Sequence, residues 1–145
     1  MDKQKILIVD DSEMNRSILS DMLGDEYDIL EAENGKEGVA MLQKQAGEIS
    51  LVLLDIVMPE LDGFGVLNVM NKNGWIQDVP VIMISAESGS SHIERAFDLG
   101  VTDFISRPFD TLIVHRRVVN TILLYAKQKK LTAMVGKTAV GNAGL

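Results

Sequence analysis

Five short apolar runs, each stopped by a polar residue and followed by an amphipathic stretch, set the narrowest limits on what this chain can fold into. Lys5–Asp10 (KILIVD), Leu51–Ile56 and Pro80–Ser85 (PVIMIS) read as buried strands, while Asp28–Ala32 and Thr102–Ser106 are weaker strands in the same rhythm. Strands apolar on both faces belong inside a parallel sheet covered by helices on each side. The stretches between them carry the helical period. Glu13–Leu23 sets Met14, Ile18 and Met22 on one line and Leu19 and Leu23 on another. Lys36–Gln45 turns Val39, Ala40 and Leu42 inward after the Asn34-Gly35 turn, and Gly63–Asn71 repeats Phe64, Leu67 and Met70. Ser91–Leu99 is a fourth helix, and a long fifth one starts near Asp110. The expected fold is α/β: a single doubly wound, five-stranded parallel sheet, (βα)5, with an extended C-terminal helix.

Composition removes most alternatives to a single soluble domain. The 145 residues, 46% apolar and 24% charged, match one globular unit. No apolar run approaches the ~20 residues of a membrane span. Met1-Asp2-Lys3-Gln4-Lys5 leads straight into the first strand without a signal-peptide core, so a cytoplasmic location is expected. Zero Cys excludes disulfides, thiol catalysis and Cys-based zinc sites, and the two histidines, His92 and His115, are isolated. The net charge of −7 divides unevenly: residues 1–110 carry −13, and residues 111–145, with six bases and no acid, carry +6. An acidic body is unsuited to nucleic acid, and the basic segment reads as a solvated helix end.

In open parallel sheets, ligands bind beyond the carboxyl ends of the strands. Asp10 and Asp11 follow the first strand, Asp55 ends the third, Ser85 ends the fourth and Arg107 follows the fifth. Three carboxylates gathered in one crevice repel by roughly 4 kcal/mol per pair at 4 Å, and a cation relieves this. Oxygen donors without Cys or His select Mg²⁺ or Mn²⁺. An aspartate beside such an ion can attack a phosphoryl group, while a hydroxyl (Ser85) and a guanidinium (Arg107) hold its oxygens. Taken singly, each residue has a plainer use. Asp11 or Ser12 can cap the first helix, Ser85 can bond backbone at a strand end, and Arg107 can be a solvated charge. Asp55 is harder to place, because an acid ending an apolar strand has no structural task there. Jointly, the set points to phosphoryl chemistry.

Ile6–Asp11 (ILIVDD), Leu53–Gly63 (LLDIVMPELDG), Val81–Ala86 (VIMISA) and Ile105–Phe109 (ISRPF) closely resemble the motifs of the receiver domain of bacterial two-component response regulators, the flavodoxin-like CheY-like fold, over residues 5 to about 126. The resemblance implies that Asp55 is the phosphoacceptor, serving a sensor histidine kinase, a phosphotransfer protein or a small phosphodonor. It implies Mg²⁺ (or Mn²⁺) held by Asp10, Asp11, Asp55 and the backbone carbonyl of Val57. Ser85 is then the switch hydroxyl and Phe104 the aromatic that turns inward with it, although an aromatic at that strand position also suits a core. The output face is the fourth helix, fifth strand and fifth helix, with Arg95, Asp103 and Phe104 on it. A homodimer through that face follows from the same resemblance.

One position departs from the family pattern: Arg107-Pro108 stands where lysine precedes the proline. Arginine keeps the charge but is planar and bulkier. The alternative is therefore a phosphorylation-independent pseudo-receiver acting as an interaction module. A haloacid-dehalogenase-type phosphohydrolase needs a second aspartate two residues after the nucleophile, where this chain has Val57. A P-loop reading fails because GxxxxGK[ST] is absent. Residues 1–126 form the expected receiver, and 127–145 a helix extension and tail linking to an output domain not present in this chain. On the fifth helix, Val118, Ile122 and Tyr125 form one stripe and Val119, Leu123 and Ala126 a second, both expected on the sheet. Leu124, Leu131 and Met134 have heptad-like spacing, and Gly136–Leu145 is expected to be flexible.

Overall fold

The computed structural model describes residues 3–86 and 90–143, with side chains at 3–86 and 92–131. Five parallel strands form one sheet in the order β2-β1-β3-β4-β5. They are β1 (Lys5–Val9), β2 (Asp28–Ala32), β3 (Ile49–Asp55), β4 (Val81–Ser85) and β5 (Asp103–Ser106). The helices are α1 (Glu13–Leu23), α2 (Gly35–Gln45), α3 (Gly63–Lys72), α4 (Ser90–Asp98) and α5 (Thr111–Ala143). This is the doubly wound arrangement expected from the strand and helix rhythm.

Period-two alternation within each apolar strand feeds two cores. Ile6, Ile8, Leu51, Leu53, Ile82 and Ile84 face Leu19 and Leu23 of α1 and Val114, Val118 and Ile122 of α5. Leu7, Val9, Val52, Leu54, Val81 and Met83 face Leu42 of α2, Phe64, Leu67 and Met70 of α3, and Ala96 of α4. The order change at β1, where the chain moves to one edge and then back across to β3, places β1 and β3 side by side at the centre. Their ends, Asp10 and Asp55, therefore meet.

The helices depart from the periodic reading at several places. In α1, Leu19 and Leu23 are buried and Met22 packs partly beneath them, whereas Met14 is 72% exposed and Ile18 lies near the surface. Arg16 fills the buried face instead, at 7% exposure. In α2, Leu42 is buried and Val39 half-buried, but Ala40 faces solvent. In α5 the first stripe packs through Val118 and Ile122, with Tyr125 half-buried. The second does not, since Leu123 and Ala126 are exposed and only Val119 is half-covered. A helix lying on a flat sheet buries one stripe, and the neighbouring one stays in water.

The segment 136–145, expected to be flexible, continues α5 as a helix as far as Ala143. Packing of Val114, Val118 and Ile122 supplies the costly nucleus, and propagation past it meets no proline and only Gly136 and Gly141, at about 1 kcal/mol each. Residues 144 and 145, and the side chain of Met134, lie outside the described residues. Among the described residues, no helix is long and apolar enough to cross a membrane.

Ser12, not Asp11, caps α1: the Asn15 N–H donates to Ser12 Oγ at 3.2 Å. Ser12→Ala should cost about 1 kcal/mol in urea unfolding. An unchanged midpoint would mean that water replaces the cap.

Candidate functional site

The sheet carries its polar strand ends to one edge. Asp10 follows β1 and is fully buried, its N–H donating to Ala32 O at 3.2 Å, one step beyond the β1–β2 ladder. Its Oδ1 accepts the Ser12 N–H at 2.8 Å. Asp55 ends β3 at 2% exposure, and the next residue, Ile56, continues the ladder by donating its N–H to Ile84 O at 3.2 Å. Asp11 remains exposed at the mouth. One carboxylate oxygen from each of Asp10, Asp11 and Asp55 lies within 4.8 Å of the others.

The cationic side is built by the β4–β5 pair. Ser85 ends β4 at 6% exposure, paired in register with Ser106, and its carbonyl accepts the Arg107 N–H at 3.0 Å. That bond aims Arg107 back across the sheet edge, where its Nη2 lies 3.5 Å from Asp55 Oδ1. A cis peptide joins Arg107 to Pro108. A cavity of about 140 Å³ opens here, lined by Asp55, Ile56, Val57, Ser85, Ala86, His92 and Arg107.

Three buried polar atoms at this edge of the sheet have no hydrogen-bond partner: Asp10 Oδ2, Asp55 Oδ1 and Arg107 Nε. Unsatisfied buried groups are rare in folded proteins and costly to keep. Two are acceptors suited to a cation, and the third is a donor suited to an anion. Burial pushes the Asp55 carboxyl up to about 7, with the Asp10 charge adding to this and Arg107 opposing it. Burial also raises Asp10, against the Ser12 N–H and Arg107, which pull it down. The donor set is all oxygen, with no His or Cys among the three clustered side chains. That fits a hard divalent cation such as Mg²⁺ or Mn²⁺.

The loop after β3 is fixed by Asp62, whose Oδ1 accepts the Gly65 N–H at 2.8 Å and caps α3, and by the Gly63 N–H, which donates to Ile56 O at 2.8 Å. The Val57 side chain stands 74% exposed above the cavity.

Phe104, on the neighbouring strand, is half-buried. It meets Phe97 edge-on at 6.4 Å between centroids and lies 5.7 Å from the Arg117 guanidinium, whose Nη1 also donates to Phe104 O. Asp103 is 3.8 Å from Arg117, and Arg95 lies 4.2 Å over the Phe64 ring. The face expected for output is thus tied together by aromatic and guanidinium contacts within the chain.

Two residues at the site were not singled out by motif. His92 lines the cavity from α4 and stacks on Phe64 at 5.9 Å. Only its place seven residues after Ser85 could have hinted at this. Arg16 reaches Asp10 from α1, and an arginine in phase with Leu19 and Leu23 was the available signal.

Comparison with known proteins agrees with the geometry. The family model for the response regulator receiver domain matches residues 6–119. A probable transcriptional regulator ycf27 of Porphyridium aerugineum is 36% identical over 119 residues, covering 81% of this chain and 48% of that protein. A probable cyclic di-GMP phosphodiesterase of Vibrio cholerae is 37% identical over 113 residues, covering 78% of this chain and 25% of that protein. The chain thus spans half or less of the length of these curated relatives. Among solved structures, a CheY-like response regulator receiver domain protein from Methanospirillum hungatei superposes with a TM-score of 0.73 at 26% identity, covering 85% of this chain and 97% of that one. Strand order, the acidic trio at the sheet edge and a family match over most of the sequence lead to one conclusion: this chain belongs to the response regulator receiver domain family.

Proposed function

We propose that the chain is a phosphorylation-switched signalling module in which Asp55 accepts a phosphoryl group from a sensor histidine kinase or a phosphotransfer protein. The observation that carries this is the trio of buried atoms without a hydrogen-bond partner around Asp55, two carboxylate oxygens and one guanidinium nitrogen, beside a cavity of about 140 Å³. Asp10, Asp11, Asp55 and the Val57 carbonyl are the residues to hold Mg²⁺ or Mn²⁺. A bound divalent ion supplies neutralisation of the crowded carboxylates and of the phosphoryl oxygens.

An Asp55 carboxylate oxygen forms the new P–O bond as the P–N bond of a phosphohistidine breaks, and the electron pair stays on the departing imidazole. Arg107 meets the negative charge that arrives, and Ser85 donates its hydroxyl to a phosphoryl oxygen. The module works as a phosphoacceptor and switch, not as an enzyme turning over an external substrate.

The movement of Ser85 and Arg107 toward the phosphoryl group alters the face of α4, β5 and α5, where Phe104, Asp103 and Arg95 lie. Phe104, half-buried between Phe97 and Arg117, is the aromatic switch of this reading. The two curated relatives named above are longer proteins, which supports a receiver at residues 1–126 whose helix extension, 127–145, leads to an output domain in a longer cytoplasmic protein. A homodimer through the α4-β5-α5 face belongs to the same reading. Arg107 reaches to 3.5 Å from Asp55, which supports phosphorylation with arginine in lysine's place over a retired, purely docking domain.

The test is intact-protein mass after incubation with acetyl phosphate. Wild type with Mg²⁺ should gain one phosphoryl group, and Asp55→Asn or chelation of the metal should prevent it. Arg107→Lys should still be modified, its rate measuring what arginine changes. Wild type that stays unmodified with Mg²⁺ while Arg107→Lys is modified would overturn this in favour of the docking domain.

A further inference from the structure

Arg16 is a charged side chain held almost wholly inside the protein, and its bonds lead to the acidic cluster. Its Nη1 donates to Asp10 O at 2.7 Å, and its Nε donates to Glu31 Oε1 at 3.1 Å. Glu31 lies on β2, and Asp10 follows β1, so the guanidinium ties α1 to two adjacent strands. The Asp10 main chain is thereby held on both sides, its N–H by Ala32 O and its carbonyl by Arg16, while the Ser12 N–H turns the carboxylate. Asp10 Oδ2 then remains buried and unpartnered. An arginine at 7% exposure needs partners for its donors, and a planar fork fixed at two points restrains position more than a single ammonium contact does.

We propose that Arg16 is a positioning residue for divalent-cation binding: it fixes the backbone at Asp10 so that the free carboxylate oxygen is preset toward Asp55 and Asp11. It bonds the carbonyl, not the carboxylate, and therefore acts through backbone placement. This rests on the reading of the acidic trio as a Mg²⁺ or Mn²⁺ site, and it adds a residue that touches neither the ion nor the phosphoryl group. Residues of this kind behind metal ligands typically change affinity by 10–100-fold.

The experiment is titration of the whole chain with Mn²⁺, read by the paramagnetic signal of the free ion, for wild type, Arg16→Met, Arg16→Lys and Val118→Ala. The last removes buried volume on the α5 face, away from the site, and controls for lost stability. Arg16→Met should bind Mn²⁺ about 10-fold or more weakly, Arg16→Lys should fall between it and wild type, and Val118→Ala should match wild type. In acetyl phosphate assays, the Mg²⁺ concentration for half-maximal rate should rise in Arg16→Met while the rate at saturating Mg²⁺ stays near wild type. If Arg16→Met does not fold, Arg16→Lys alone decides, by weakened or unweakened Mn²⁺ binding. Arg16 variants that bind within twofold of wild type, or a Val118→Ala that weakens as much, overturn the inference while leaving the metal site intact. A wild type that does not bind Mn²⁺ overturns the underlying reading of the site as well.

Discussion

Asp55→Asn should stabilise the metal-free protein by about 2–4 kcal/mol at pH 8, and by progressively less as the pH falls toward 4. The Asp55 carboxyl, at 2% exposure and beside Asp10, titrates at about 7 in the folded chain against an ordinary 3.8. Below pH 4 it is protonated in both folded and unfolded chains and contributes nothing. Between the two values the folded chain binds a proton that the unfolded chain has released, so stability falls as the pH rises. Above pH 7 the loss is complete and constant. Asparagine keeps the shape without the charge. Urea unfolding in a chelating buffer at pH 4, 6 and 8 checks this. A gain that is equal at all three would mean that the buried charge of Asp55 is not its source.

Mg²⁺ should narrow that gap or close it. An ion bound only by the folded chain at a hundred times its dissociation constant adds about 2.7 kcal/mol. Wild type should recover that amount at pH 8, and Asp55→Asn, lacking one carboxylate, should recover much less. The same substitution should abolish phosphorylation, so on the proposed function Asp55 is a residue whose removal improves the fold and ends the function. Sites that crowd like charges for chemistry are expected to show this opposition.

The strand ends were readable because each polar residue interrupts an apolar run: Asp10, Asp55 and Ser85 announce themselves by where they stop a strand. Their convergence follows from strand order, which the βα alternation and the resemblance supply together. The helix faces were less readable. Positions 14, 18 and 22 and positions 16, 19 and 23 are both acceptable stripes of α1, and hydropathy favours the first because it treats Arg16 as a surface residue. The fold chooses the second, because Arg16 bonds the Asp10 carbonyl and Glu31. No local pattern encodes those partners. On α5, Leu123 and Val119 have the same periodicity, yet only a sheet wide enough to reach them would bury both, and Leu123 stays exposed. His92 was unreadable for a related reason: its place in the cavity depends on how α4 approaches α3, and it is Phe64 that receives it.

Gly63→Ala should unfold at lower urea by about 1–3 kcal/mol and, in the folded fraction, accept phosphate about 10-fold or more slowly. A Cβ at Gly63 would sit 2.4 Å from Asp55 O and 2.9 Å from Ile56 Cα, contacts with backbone that no side-chain rotation relieves. Either the start of α3 lifts away, weakening the Gly63 N–H bond to Ile56 O, or the end of β3 shifts and carries Asp55 with it. The second response misplaces the attacking oxygen relative to Arg107 and the other two carboxylates, so stability and phosphorylation fall together. Gly47→Ala is the matched control, because nothing lies within 4 Å of its added carbon and it should be neutral or slightly stabilising. If Gly63→Ala is as stable as Gly47→Ala and is phosphorylated at the wild-type rate, then β3 and α3 can part without cost, and the close approach does not set the position of Asp55. If both properties fall, the glycine belongs to the site as much as the carboxylates do, since it lets a helix begin against the backbone of the residue proposed to take the phosphoryl group.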